Sequence, residues 1–209
     1  DHPDHAHLIQ KPVLYGHYEL NDVLFKYAED DPRASLAIAQ LQIQAGEKIA
    51  ILGRNGAGKS TLLQLLSGMQ TPLQGKIKLD GVDLSLLDPS DIRRDMSMLN
   101  QNSQLFYGSI RENLTLGAPL ASDEDIFAVL KLTGALDFVQ EKKEGLDHMV
   151  LEGGFGFSSG QRQALLLART LIRQPNIVLL DEPTASIDDV SERQLIQNLQ
   201  SWLGHRTLV

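Results

Sequence analysis

The 209-residue sequence predicts an α/β fold in which a parallel sheet, covered by helices, presents a glycine-rich loop and a pair of carboxylates at one edge. Three observations predict it. A short apolar run at residues 48–52 leads through a glycine-rich turn into a helical pattern at 60–66. A second apolar run at 177–180 ends on Asp181 and Glu182. The residues between these runs carry several amphipathic helical patterns. Ligands of open α/β sheets gather at the carboxyl ends of the strands, so the two runs predict one functional edge.

The length suits one compact domain with a substantial core. With 42% hydrophobic and 22% charged residues the chain should fold and stay dissolved. Its net charge of -8 argues against broad electrostatic binding to nucleic acid or to an anionic membrane surface. No apolar run approaches the roughly 18 residues needed to span a bilayer, so any membrane contact is expected to be peripheral. The absence of cysteine excludes a disulfide framework and a thiolate metal site and fits a reducing compartment. Neither an initiator methionine nor a signal peptide opens the chain, which suggests a piece excised from a longer protein.

The elements follow in order. Residues 1–17 hold four of the six histidines and two prolines with little apolar periodicity, and read as a linker. His2, His5 and His7 offer imidazoles to a metal, but nothing carboxylate-rich or structured gathers them, so the reading is a solvated polar segment. Residues 18–27 alternate as in a half-buried strand, 48–52 read as a short buried strand, and 60–66 form a helix that Gly68 is placed to end. The stretch 89–140 reads as a helical insert, including a helix at 123–132 with Ser122 as N-cap. After Pro183 come a helix at 191–203 and the start of a strand at Arg206.

Gly53-Arg54-Asn55-Gly56-Ala57-Gly58-Lys59-Ser60 fits the P-loop pattern in the strand-loop-helix context that pattern requires. Glycines let backbone N–H groups close on phosphate oxygens, and the helix N-terminus adds partial positive charge. Lys59 would neutralise the β- and γ-phosphates, and the Ser60 hydroxyl would ligate magnesium. Four such fixed positions arise by chance in a chain this long on the order of one time in a hundred. Asp181, 122 positions after Lys59 (181 − 59), suits the second magnesium-holding position, and Glu182 is placed to orient or deprotonate the attacking water. Alone, a strand-end carboxylate is more often only solvated; the phosphate loop and the Pro183-Thr184-Ala185-Ser186 turn lend these two their role.

The segment Phe157-Ser158-Ser159-Gly160-Gln161-Arg162-Gln163 closely resembles the signature sequence of ABC ATPases, which separates them from other P-loop enzymes. The resemblance covers nearly the whole chain from Tyr18 onward. It implies a P-loop NTPase core with a parallel sheet and helices, an antiparallel β subdomain, and an inserted α-helical subdomain at about 89–163. It also implies a head-to-tail homodimer, with ATP and Mg2+ held between one subunit's phosphate loop, including Thr61, and the partner's signature loop. Ser158, Ser159, Gly160 and Gln161 would form that second anion site at a helix N-terminus. Tyr27 resembles the aromatic that stacks on adenine, although a strand aromatic equally suits a core. Gln101 resembles the glutamine that touches the magnesium site and couples to a transmembrane domain. Ser186-Ile187-Asp188 resembles the loop that contacts the opposite subunit, its plainer alternative being a helix-leading turn.

Three departures from the family pattern stand out. Ser159 replaces a glycine, Phe157 replaces a common leucine, and the histidine that the family supplies after the strand at residue 206 lies beyond Val209; His205 precedes that strand and is not it. Residues 87–94 and 108–114, with Gly117-Ala118-Pro119 and Gly134-Ala135-Leu136, look most like bacterial type I secretion ATPases, which export large unfolded proteins. That likeness implies a linker at 1–17 from a transmembrane domain in the same chain, an ATPase domain over 18–209, and a place on the cytoplasmic face of the inner membrane. A periplasmic adaptor and an outer-membrane channel would be its partners. A peptide, lipid or drug exporter is the alternative. A soluble ABC-type ATPase acting on DNA or ribosomes lacks its usual coiled-coil insertion or tandem domain here and fits the acidic balance poorly. A P-loop kinase would leave the signature segment unexplained.

Overall fold

The computed structural model describes residues 8–28, 30, 36–54 and 58–209; His2, His5 and His7 lie outside them. The chain forms two compact units. The first takes the chain up to Met98 together with Pro175–Asp181 and His205–Val209, and the second takes Leu99–Gln174 and Glu182–Gly204.

In the first unit, β1 (Tyr18–Phe25) lies between β2 (Leu36–Ile43) and β3 (Gln74–Leu79), with β4 (Val82–Asp83) beyond β3, in an antiparallel sheet ordered β2-β1-β3-β4. Alternation in β1 is interrupted once. Tyr18 and Leu20 are buried, then Val23 and Phe25, because the register against β3 shifts between Asn21 and Leu24, where Asp22 takes φ 49°. One extra residue moves the apolar set back to the core face. The bulge presses on Gly75, which has φ +86° and whose added Cβ would lie 2.3 Å from the Asp22 carbonyl oxygen. Gly75→Ala is therefore expected to lower unfolding free energy by about 1–3 kcal/mol, read from urea denaturation.

Helix α1 (Lys59–Leu66) packs its buried leucines 62, 63, 65 and 66 into the same core as Tyr18, Leu20, Ile77 and Leu79. The buried Tyr18 hydroxyl donates to the Leu66 carbonyl at 2.7 Å, so the strand holds the helix's C-terminal end. Burial raises the Tyr18 pKa, so the hydroxyl stays a donor. The helix stops where expected, with Gly68 at φ +79° and its N–H on the Leu65 carbonyl. Helix α2 (Pro89–Asp95) is capped by Asp88 and leads into β5 (Met96–Leu99), which joins β8 (Ile177–Leu180) and β9 (Thr207–Leu208) in the order β5-β8-β9. The β8–β9 pair is parallel, as the apolar run at 177–180 predicts.

Two readings of the sequence change. Residues 48–52 are not a buried strand: only Lys48 forms a bridge, to Leu208, and Leu52 is 92% exposed. Pairing with β9 ends once the Ile49 N–H has bonded the Leu208 carbonyl at 2.8 Å, and the segment beyond meets no ladder among the described residues. Residues 8–17, read as a linker, are fastened to the first unit. The Asp91 carboxylate accepts from the Lys11 N–H, Asp95 from Leu14, and Asp80 from the consecutive N–H groups of Tyr15, Gly16 and His17, while Leu14 is fully buried.

In the second unit, a short ribbon of β6 (Gly108–Ser109) and β7 (Met149–Val150) accompanies α3 (Ile110–Thr115), α4 (Asp123–Thr133), α5 (Leu136–Gln140), α6 (Ser159–Leu171) and α7 (Asp189–Leu203). Residues 89–98, expected in the helical insert, thus belong with the first unit, and 182–204 with the helices of the second. Ser122 caps α4 as expected, in a capping box with Asp125. Helix α4 packs on α6 and α7, and the Asn198 amide donates to the Leu132 carbonyl at 3.2 Å. Arg111 on α3 ties Asp123 and Asp147 together, and its hydrogen bond holds the Asp123 carboxyl below the usual range. Helix α7 starts at Asp189 because the Asp188 side chain accepts from the Ser191 N–H at 2.8 Å.

Candidate nucleotide-binding site

In the first unit, Gly53 and Arg54 open the glycine-rich turn as exposed irregular chain; Asn55, Gly56 and Ala57 lie outside the described residues. Gly58 is the N-cap of α1 with φ 92°, a left-handed conformation that glycine adopts without strain. It brings Lys59 and Ser60 to the helix N-terminus. The Lys59 ammonium reaches back to donate to the Gly53 carbonyl at 2.9 Å, so the lysine lies across the two ends of the turn. No acidic residue occupies the first turn of α1, which leaves its N-terminal partial charge open to an anion.

Tyr27 is no core residue. It is 62% exposed, stands edge-on to Phe25 with ring centroids 4.9 Å apart, and shares a 2.8 Å hydrogen bond between its hydroxyl and Thr61 Oγ1. An exposed ring face beside the phosphate loop's helix suits stacking on a planar base. The contact with Thr61 was not legible in the sequence, since 34 positions separate the two. Asp181 follows the C-terminal end of β8 and is 7% exposed.

The second unit holds Gln101, Glu182 and the signature residues. Gln101 is exposed in a turn that the Asn100 side chain organises by accepting from the Asn102 N–H at 2.9 Å. Glu182 is exposed with φ 48°, uncommon for a residue with a side chain, and its carbonyl accepts from the Ala185 N–H. Ser158 is the N-cap of α6. Its hydroxyl accepts from the Gln161 N–H at 3.1 Å, and the Gln161 side chain accepts from the Ser158 N–H at 3.0 Å. This capping box is legible in the sequence as Ser-x-x-Gln. The boxes of α3 and α4 close on Glu112 and Asp125; that of α6 closes on a neutral amide, and its first turn carries no acid. Ser159 is exposed, and its Oγ accepts from Arg162 Nη2 at 3.3 Å. Gly160 faces the Ser186 carbonyl oxygen, which an added Cβ would meet at 3.2 Å, so a side chain there would press on the loop after Glu182.

The profile of the family described as "ABC transporter" matches residues 36–185. The chain belongs to the ABC transporter family. Membership makes it an ATP-binding domain. This ABC domain is 40% identical over 198 residues to a leukotoxin translocation ATP-binding protein of Mannheimia glucosida, covering 95% of the chain and 28% of that relative. It is 38% identical over 201 residues to a leukotoxin export ATP-binding protein of Aggregatibacter actinomycetemcomitans, again over 28% of the relative's length. Among solved structures, a bacterial Atm1-family ABC exporter with ATP bound matches with a TM-score of 0.87 and 31% identity, covering 97% of this chain and 36% of that one. The expected α/β architecture, a parallel sheet with an antiparallel sheet and a helical part, is that of this ABC ATPase domain. Among the described residues no helix is long and apolar enough to cross a membrane.

Magnesium fits the oxygen donors of this ABC domain. The Ser60 hydroxyl, the Asp181 carboxylate and the Gln101 amide oxygen are hard ligands of the kind it takes. Among the described residues no cluster of three or more His, Cys, Asp or Glu side chains forms a cage. Phosphate oxygens and water would complete the shell, as is usual for this ion.

Proposed function

We propose that this domain is the ATP-driven motor of a bacterial exporter that moves a large protein substrate across the inner membrane by type I secretion. The observation that carries the reading is the 38–40% identity, over 95–96% of the chain, to leukotoxin export proteins. In the working cycle two copies close head to tail on two ATP molecules. The Tyr27 ring takes adenine, while backbone N–H groups of residues 53–61 and the Lys59 ammonium take the phosphates. Ser60 and Asp181, with Gln101, hold Mg2+, which would neutralise charge developing on the β- and γ-phosphate oxygens. Glu182 orients the attacking water and accepts its proton. The partner's Ser158, Ser159, Gly160 and Gln161 close on the γ-phosphate with the unneutralised N-terminus of α6. Binding and hydrolysis then switch attached transmembrane domains between inward- and outward-facing states, because the closed dimer prefers ATP to ADP.

Tyr107 and Leu151, exposed apolar side chains adjoining the β6–β7 ribbon in the unit that also holds Gln101, suit a transmembrane domain of the same protein. A periplasmic adaptor and an outer-membrane channel complete the path in this reading, and the domain works at the cytoplasmic face. Light scattering on the Glu182→Gln chain tests the sandwich directly. Mg-ATP is expected to convert monomer to dimer, and ADP is not. A chain that binds ATP and stays monomeric would overturn head-to-tail closure as its intrinsic property.

A further inference from the structure

A capping box is often accompanied by an apolar residue before the N-cap that packs on the fourth helical residue and fixes the angle at which the chain enters the helix. Helix α6 has the box without that partner. Its fourth residue is Arg162, whose stem lies against Gly154 and whose Nη2 bonds Ser159. The residue before the cap, Phe157, is 7% exposed. Its ring centroid lies 6.0 Å from that of Phe138 on α5 and 6.0 Å from the edge-on ring of His148, and the Lys142 ammonium sits 5.1 Å from the ring centroid. The Phe157 N–H closes a turn on the Gly154 carbonyl at 3.1 Å. On the other side of the exposed pair Ser158 and Ser159, Gly160 sits against the Ser186 carbonyl oxygen.

The geometry points to Phe157 as a positioning residue for ATP-driven closure: its ring, gripped by α5 and the segment after it, sets the direction in which Ser158 and Ser159 face the partner's nucleotide. The inference rests on the head-to-tail reading above. It also gives the aromatic ring at this position a use. A cation over a ring face and an imidazole edge against it are contacts a leucine cannot make. A misplacement of about 1 Å in such a constellation costs up to about a hundredfold in rate.

The test compares Phe157→Ala and Phe157→Leu with the parent 209-residue chain. It reads ATP affinity of the monomer, ATP-dependent dimerisation in the Glu182→Gln background, turnover, and melting temperature. Phe157→Ala is expected to bind ATP as a monomer within about twofold of the parent and to lose dimerisation and kcat by roughly tenfold to a hundredfold, with KM little changed. Phe157→Leu, which keeps apolar bulk but loses the ring contacts, should recover only part of that loss. A folded alanine variant that dimerises and turns over like the parent would overturn the inference alone. A leucine variant that dimerises and turns over like the parent would do the same. A parent chain that binds ATP without dimerising or hydrolysing it would sink the head-to-tail reading and this inference with it. Should the alanine variant fail to fold, Phe157→Val takes its place under the same criteria.

Discussion

Replacing Glu182 by glutamine is expected to lower ATP turnover by about 10²–10⁴-fold, the range in which a positioned base contributes to rate, while ATP affinity stays within about twofold. The substitution is nearly isosteric and places the same demand on a backbone held at φ 48°. Glu182 is exposed, so the change leaves the core untouched and stability should be retained. Single-turnover phosphate release, with melting temperature as control, checks the pair of outcomes. Undiminished hydrolysis would move the base elsewhere. Asp181, buried after β8, is poorly placed to inherit the task, because proton transfer requires direct or one-water access to the attacking molecule.

Lys59→Ala should act on the other quantity, affinity. A hydrogen bond to a charged group contributes about 1.5–3 kcal/mol, which corresponds to a loss of roughly 10–150-fold in ATP binding measured by calorimetry. Arginine should restore little. Its planar fork cannot reproduce a compact ammonium that reaches back over the turn to the Gly53 carbonyl. An unchanged dissociation constant would remove the phosphate loop from nucleotide binding and with it the basis for the proposed motor.

Much of this was legible in the sequence because the signals are local. The stop of α1 at Gly68, the Ser122 cap and the parallel run at 177–180 are each set by residues within a turn or a strand of one another. The loop motif fixed Lys59 and Ser60 at a helix N-terminus for the same reason. Residues 48–52 misled because an apolar run reports burial, and a ladder also needs a neighbour: Ile49 has one in Leu208, 159 positions away (208 − 49), and Leu52 has none among the described residues. Tyr27 and Thr61, or Phe157 and Phe138, meet only once the chain has folded. The family pattern marked Phe157 as a departure from leucine, and the rings and cation around it supply the reason.

The fastening of residues 8–17 has a mechanical side. Asp80, Asp91 and Asp95 hold backbone N–H groups that are 63 to 81 positions away in sequence, and Arg94 Nη2 adds a bond to the Lys11 carbonyl at 2.9 Å. Tension applied upstream of Leu8 would therefore not arrive at the first residue of β1. It would enter first at the Ile9 bridge to Leu87, then through α2 and the turn between β3 and β4, where those carboxylates sit, and through Asn176 and Thr207, which bond the Leu14 and Tyr15 carbonyls. The attachment point of a load is thus spread over several bonds along the segment, the three carboxylates among them.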